Sequence, residues 1–131
     1  MDMLYYIYIG SNRVTIDHLS KIAGGMFMAV SSCNKAAKVI DGIRERYNTS
    51  ILYEESTPQK DSQNITFLHK RFPRVYIILI TEGLQKEHRK LYLQAGVNNT
   101  LSPMASEESL LQMVKFLRLR KEHKLQEFSQ S

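Results

Sequence analysis

The sequence has 131 residues and a mass of 15.2 kDa, the size of one domain with its own hydrophobic core. Apolar residues make up 43% and charged residues 24%, a balance typical of a folded globular domain and not of a disordered tail. The net charge is +5, and the single cysteine, Cys33, excludes both a disulfide framework and a cysteine-based zinc site. The longest apolar run, 75–80, is too short to cross a bilayer, and residues 1–10 lack the basic start and cleavage site of a secretory signal. We therefore expect a cytoplasmic protein with no transmembrane segment in this chain.

Short apolar segments alternate with helical patterns along the chain. Residues 4–9 are β-branched and aromatic without alternation, which is typical of a strand covered on both faces. The apolar positions of residues 14–22 then recur at helical spacing and stop before Gly24. The same succession repeats four more times. It predicts strands at 4–9, 26–30, 50–53, 75–80 and 99–101, and helices at 14–22, from 34 to about 47, at about 62–72, at 84–95 and from 106 onward.

This alternation predicts an α/β architecture. Parallel strands joined by right-handed helical crossovers form a (βα)5 three-layer sandwich with a five-stranded parallel sheet in the middle. Ligands of such folds bind at the carboxyl ends of the strands. The candidate site residues are therefore the pairs 10–11, 31–32, 54–55, 81–82 and 102–103.

Several residues at these strand ends have the order and spacing of one known family. Glu54 ends the third predicted strand, and Pro58 follows it by four residues. Thr81 ends the fourth strand, and residues 95–96, Ala–Gly, precede the fifth. Over about residues 3–118 the sequence therefore resembles the receiver domains of bacterial two-component response regulators, the CheY-like family. The resemblance implies the CheY-like form of the flavodoxin-like fold and a role in signal transduction, with Glu54 at the phosphoacceptor position.

The departures from this family fall on its chemistry. Gly10 and Ser11 replace the acidic pair that follows the first strand, and Ser102 replaces the lysine that ends the fifth. Carboxylates are needed to hold Mg²⁺, and a cation is needed to neutralise charge on a phosphoryl group. Glu54 is one methylene longer than aspartate, which displaces its carboxylate by roughly 1.5 Å. We interpret the chain as a degenerate pseudo-receiver without a metal site or cofactor, whose altered phosphoacceptor site comprises Gly10, Ser11, Glu54, Thr81 and Ser102.

This interpretation predicts a regulatory module without catalytic activity. It would act independently of phosphorylation, either through a separate protein partner or as the N-terminal part of a larger protein with a sugar transferase or DNA-binding output domain. The resemblance implies that the fourth helix, fifth strand and fifth helix form the docking face and the contact of a homodimer. We expect this face to include Leu84, Tyr92, Asn99, Leu110 and Val114.

Two finer expectations concern Glu54 and the end of the chain. The longer carboxylate of Glu54 can imitate a phosphorylated aspartate, and the hypothesis is that it acts through Thr81. Residues 119–131 would form a basic helical extension or connector after a receiver-like domain at residues 1–118. No helix-turn-helix pattern is present and the charge excess is small, so we expect no direct binding of nucleic acid.

Two other interpretations are compatible with the sequence. The chain can be an active receiver that is phosphorylated on Glu54 or Glu55 in a phosphorelay. It can also be a flavodoxin-like binder of a small molecule, in which Gly10, Ser11 and Asn12 hold a phosphate. That segment lacks the further glycines that allow a backbone to approach a phosphate closely.

Overall fold

The computed structural model describes residues 3–130, with side chains described for residues 3–120. Five strands alternate with five helices, and a 3-10 turn, Arg46–Asn48, precedes the third strand. The strands are β1 (Tyr5–Ile9), β2 (Met26–Val30), β3 (Thr49–Glu54), β4 (Tyr76–Ile80) and β5 (Asn99–Leu101). The helices are α1 (Arg13–Ala23), α2 (Cys33–Asp41), α3 (Pro58–Arg71), α4 (Lys86–Ala95) and α5 (Glu107–Gln130).

The five strands form one parallel sheet in the order β2-β1-β3-β4-β5. The register of β1 against β3 places Tyr8 beside Leu52 and Ile9 beside Tyr53. The carboxyl ends of β1, β3 and β4 therefore meet at one edge of the sheet. The predicted (βα)5 three-layer sandwich is confirmed, and β2 and β5 are the two outer strands.

Alternate residues of the central strands enter two cores, one on each face of the sheet. Ile7 and Ile9 pack with α2, α3 and α4, whereas Tyr6 and Tyr8 pack with α1 and α5. Burying one large apolar side chain stabilises a fold by about 1.5–3 kcal/mol. Both faces of the central strands are thus covered, and only the ends of the strands are left open to form a site.

Helices α2 and α3 begin earlier than the sequence pattern predicts, for reasons that their first residues show. α2 begins at Cys33, one residue early, because the Ser32 hydroxyl accepts a hydrogen bond from the Lys35 N–H at 3.2 Å and caps the helix. α3 begins at Pro58 and not near residue 62, because proline suits the first helical position, where no N–H is needed. Asp61 consequently lies within the first turn of α3.

The last helix continues beyond the predicted end of the domain. Its Arg120 guanidinium donates hydrogen bonds to the backbone carbonyls of Tyr47, at 3.1 Å, and Arg74, at 2.7 Å. The same guanidinium lies 5.0 Å from the centre of the Tyr76 ring, and burial lowers the pKa of Arg120. The domain therefore extends past the boundary predicted after residue 118, since Arg120 makes hydrogen bonds with residues before β3 and before β4. The remainder of the predicted connector, residues 121–131, lies outside the described side chains.

Candidate functional site

Glu54, at the carboxyl end of β3, turns its carboxylate toward the loop that follows β1. The Tyr8 hydroxyl donates to Glu54 Oε2 at 2.6 Å, and the backbone N–H of Asn12 donates to the same oxygen at 3.1 Å. The N–H of Ser11 makes a longer contact of 3.5 Å with Glu54 Oε1. A charged carboxylate accepts stronger hydrogen bonds from such donors than a neutral acceptor does. Both carboxylate oxygens of Glu54 thus accept hydrogen bonds from groups of the same chain.

Gly10 leaves the space that the Glu54 carboxylate occupies. A Cβ atom at position 10 would lie 2.4 Å from Glu54 Oε2 and 2.6 Å from Glu54 Cβ, much closer than real Cβ contacts. The backbone of Gly10 also has a φ of 155°, which residues with a side chain rarely adopt. The observed position of Glu54 therefore requires glycine at position 10, and an acidic residue there would displace it.

Thr81, at the end of β4, binds the neighbouring carboxylate and not Glu54. Its hydroxyl donates to Glu55 Oε1 at 2.8 Å and accepts a hydrogen bond from the Gly83 N–H at 3.1 Å. The Glu54 carboxylate thus reaches the loop after β1, whereas the Glu55 carboxylate reaches the end of β4. The hypothesis that Glu54 acts through Thr81 is wrong in this geometry.

Ser102, at the position that the resemblance gives to lysine, is exposed. Its hydroxyl accepts a hydrogen bond from the Met104 N–H at 3.3 Å and so stabilises the turn before α5. A serine hydroxyl carries no charge and cannot neutralise a phosphoryl group. The structure thus places Gly10, Ser11 and Glu54 together, and Thr81 and Ser102 beside a separate groove.

The geometry around Glu54 does not fit a Mg²⁺ site of the receiver type. Gly10 and Ser11 provide no carboxylate, and the oxygens of Glu54 already accept hydrogen bonds from the protein. Within the described residues, no group of three or more histidine, cysteine, aspartate or glutamate side chains is arranged to hold a metal ion. We therefore derive no metal-assisted step for this site.

A buried carboxylate that the sequence pattern did not single out as a site residue lies beneath this edge. Asp61 is 1% exposed and accepts hydrogen bonds from the hydroxyls of Tyr53, at 3.1 Å, and Tyr92, at 2.8 Å. It also accepts the N–H of Ser56 at 2.8 Å, and Asn64 donates to the Tyr53 hydroxyl at 2.9 Å. One carboxylate therefore links the end of β3 with α3 and α4. The sequence indicates this residue only weakly, as an aspartate in the first turn of a helix that begins with proline.

A cleft of about 410 Å³ opens between the loops after β1, β2 and β3. Glu54 and Asp61 line it together with Lys60 and Cys33. Burial, and to a lesser extent Asp61, raises the pKa of the Cys33 thiol to about 11. A thiol with that pKa is almost wholly protonated near neutral pH, so Cys33 has none of the character of a reactive cysteine.

Three of the five residues predicted for the docking face are core residues. Tyr92, Leu110 and Val114 are buried, because Tyr92 turns inward to Asp61 and the two α5 residues pack toward α1. A buried side chain cannot contact a partner, so the prediction is wrong for these three. Leu84 is half-buried and Asn99 is exposed.

Other apolar side chains are exposed on the same side of the molecule. Leu93 of α4 is 59% exposed, Met104 before α5 is 61% exposed and Leu111 of α5 is 51% exposed. Leu93 and Asn99 also line a groove of about 380 Å³ that runs between α4 and β5. The family resemblance indicates which elements form the docking face, but not which side chains of those elements point outward.

No helix of the described residues is both long and apolar enough to cross a membrane. No protein-family model matches the sequence, and no curated protein matches it significantly.

Solved structures share the fold at low sequence identity. The signal receiver domain of an HD domain-containing protein from Pseudomonas fluorescens Pf-5 matches with a TM-score of 0.77 and 16% identity, covering 100% of this chain and 96% of that one. A CheY-like protein, TadZ, from Pseudomonas aeruginosa PAO1 gives 0.75 and 13%, covering 89% and 94%. A CheY-like response regulator receiver domain protein from Methanospirillum hungatei JF-1 gives 0.75 and 15%, covering 93% and 99%. The fold is therefore that of CheY-like receiver domains.

Proposed function

We propose that this chain is a phosphorylation-independent receiver-type module, which acts without catalysis by binding a protein partner or an output domain. The proposal transfers the signalling role of receiver domains to a chain that has their fold. It also implies a cytoplasmic location, where such partners are found.

The position of Glu54 is the observation that carries this proposal. In a working phosphoacceptor site the carboxylate must be free to attack a phosphoryl group beside a bound cation. Here Tyr8 and Asn12 hold Glu54 Oε2 at 2.6 and 3.1 Å, and Gly10 supplies no ligand for a cation. Burial, and then the bond to Glu54, raise the pKa of the Tyr8 hydroxyl, so it remains a donor throughout the physiological pH range.

Exposed apolar side chains support the binding role. Leu93, Met104 and Leu111 stand on the side formed by α4, β5 and α5, beside the groove that Asn99 lines. Exposed apolar side chains that lie close together mark sites of protein–protein contact. The matched receiver domain from Pseudomonas fluorescens is described as part of an HD domain-containing protein. By likeness, the partner proposed here is an output domain, such as a sugar transferase or a DNA-binding domain, or a separate protein.

Phosphorylation with a small acyl phosphate tests the proposal. The chain is incubated with Mg²⁺ and acetyl phosphate, and its intact mass is measured beside a conventional receiver domain as a positive control. We expect the conventional receiver to gain one phosphoryl group and this chain to gain none, because no cation site holds the donor at Glu54.

Three variants identify the acceptor if the mass does increase. A stoichiometric gain that is lost in Glu54→Gln or in Glu55→Gln, but is kept in Glu87→Gln on the exposed start of α4, would overturn the proposal. The chain would then be an active receiver with an unusual acceptor.

A further inference from the structure

The outer strand β2 is unusually open for a strand of a doubly covered sheet. Its residues Met26 and Met28 are 49% and 43% exposed, and Ala29 is exposed as well. Only Phe27 is anchored by aromatic neighbours, with its ring 6.2 Å from those of Tyr6 and Tyr8 among the described aromatic contacts. An apolar edge of this kind is a ready template for another strand.

The two edges of the sheet differ in how they are protected. β5 has three residues, two of which are the polar Asn99 and Thr100. β2 has five apolar residues, and the segment 24–32 around it contains neither a charged residue nor a proline. Short length, charge and proline are the usual means by which proteins prevent pairing at an edge, and β2 has none of them.

The backbone hydrogen bonds show which groups of β2 are available. Met26 N–H donates to Leu4, and the Val30 carbonyl accepts from Gly10, both at 3.0 Å, so these residues direct their backbone groups toward β1. The direction alternates along a strand. The N–H and C=O groups of Phe27 and Ala29 therefore point outward.

From this geometry we infer that β2 pairs antiparallel with β2 of a second copy, across a twofold axis at Met28. In this register Phe27 of one copy lies opposite Ala29 of the other, and each such pair exchanges two hydrogen bonds through the groups that point outward. Met28 lies opposite its own counterpart, and Met26 opposite Val30. The result is a continuous ten-stranded sheet built from two five-stranded ones.

A second copy is the occupant that this strand fits. A twofold contact requires a surface that is complementary to itself, and the antiparallel register about Met28 meets that condition in both hydrogen bonds and side chains. The chain carries a net charge of +5, yet two copies meet here over nine uncharged residues, 24–32, without opposing like charges. The dimer leaves the side of α4, β5 and α5 free, and it does not depend on the function proposed above.

Sedimentation of the full chain and two lysine variants tests the contact. We expect a concentration-dependent dimer for the unchanged chain. Met28→Lys places two lysines opposite each other on the axis, so the dissociation constant should rise by roughly a hundredfold or more. Leu93→Lys, on exposed α4, serves as the matched control and should leave the dimer unchanged.

Cysteine pairing tests the register itself. In a Cys33→Ser background, Met28→Cys places two thiols in a non-hydrogen-bonded pair, with Cα atoms about 4.5 Å apart, a distance that a disulfide spans. Ala29→Cys places them on a diagonal of about 7 Å, beyond that range. We expect a covalent dimer from the first variant alone, on a non-reducing gel after mild oxidation.

Each contrary result overturns the inference. A chain that is monomeric throughout the micromolar range has no such dimer. A dimer that Leu93→Lys dissociates, and Met28→Lys does not, uses the side of α4 and β5. Equal cross-linking of both cysteine variants excludes the proposed register. If circular dichroism shows that Met28→Lys does not fold, the comparison of Met28→Cys with Ala29→Cys tests the contact instead. The phosphorylation assay is unaffected by any of these outcomes, so the two proposals fail separately.

Discussion

Glu54 and Gly10 share one small volume at the end of β1. A Cβ atom at position 10 would lie only 2.4 Å from Glu54 Oε2, the oxygen that accepts the hydrogen bond from Tyr8. Glutamate at position 54 and glycine at position 10 are therefore linked, because the first occupies the space that the second leaves free. The site around Glu54 thus has its own set of hydrogen bonds, from Tyr8, Ser11 and Asn12.

Substitution of Gly10 tests this fit. Gly10→Ala should lower the free energy of unfolding by roughly 2–4 kcal/mol, because the new Cβ overlaps Glu54 and the φ of 155° is strained for alanine. Urea denaturation measures the change. Gly83→Ala is the matched control, since a Cβ there meets no atom within 4 Å, and it should change stability by at most about 0.5 kcal/mol.

A double-mutant cycle separates the two causes of this loss. Glu54→Ala should restore part of the stability that Gly10→Ala removes, because it clears the overlapping side chain. If Gly10→Ala costs the same in both backgrounds, backbone strain alone explains the loss and the packing of Glu54 against Gly10 is irrelevant.

Asp61 connects three elements. Its carboxylate accepts hydrogen bonds from Tyr53 of β3, from Ser56 before α3 and from Tyr92 of α4. Burial raises the pKa of Tyr92 well above its usual range, and the bond to Asp61 acts in the same direction, so the hydroxyl remains a donor. A satisfied buried network of this kind specifies one arrangement of the elements around it.

Removal of the Asp61 carboxylate should loosen α4. Asp61→Ala leaves two buried tyrosine hydroxyls without this acceptor and frees the N–H of Ser56, so we expect a loss of roughly 3 kcal/mol in the free energy of unfolding together with faster hydrogen exchange in α4. Asp17→Ala, on the exposed face of α1, is the control and should change stability by less than about 0.5 kcal/mol. Equal stability of the two variants would show that the network does not form in solution.

The sequence predicts elements far better than contacts. The alternation of strands and helices follows from local periodicity, and all five strands differ from prediction by at most one residue at either end. The partners of Asp61 include a tyrosine 31 residues away, which no local pattern reveals. The sequence also did not reveal that Thr81 would bond to Glu55 and not to Glu54, because this bond depends on how the ends of β3 and β4 meet.

Buried tyrosines set an alkaline limit for the whole molecule. Burial raises the pKa of Tyr6 to about 12, with a smaller opposing effect of Arg118, and burial also raises the pKa values of Tyr8 and Tyr53. An unfolded tyrosine titrates near 10, so the unfolded chain loses these protons first. The protonated buried tyrosines therefore contribute fully to the free energy of unfolding below about pH 10, and this contribution is lost as the pH rises toward about 12.

Tyr6→Phe isolates one contribution to this limit. The Tyr6 hydroxyl has no hydrogen-bond partner among the described residues, so its removal should be nearly neutral at pH 7. As the pH rises from about 10 to 12, the free energy of unfolding of the unchanged chain should fall by roughly 2–3 kcal/mol more than that of the variant. Denaturation curves at a series of pH values measure this difference, and parallel losses in both proteins would contradict it.

The overlap between Gly10 and Glu54 also restricts the order in which the two positions can change. A chain with any side chain at position 10 has no room for Glu54 in its present place, whereas a chain with glycine at position 10 accepts either a shorter or a longer residue at position 54. Any stepwise exchange between an acidic residue at position 10 and Glu54 therefore passes through a chain with glycine at position 10. An aspartate introduced at position 10 alone meets an occupied volume, so a cation ligand can be built there only after the residue at position 54 has been shortened.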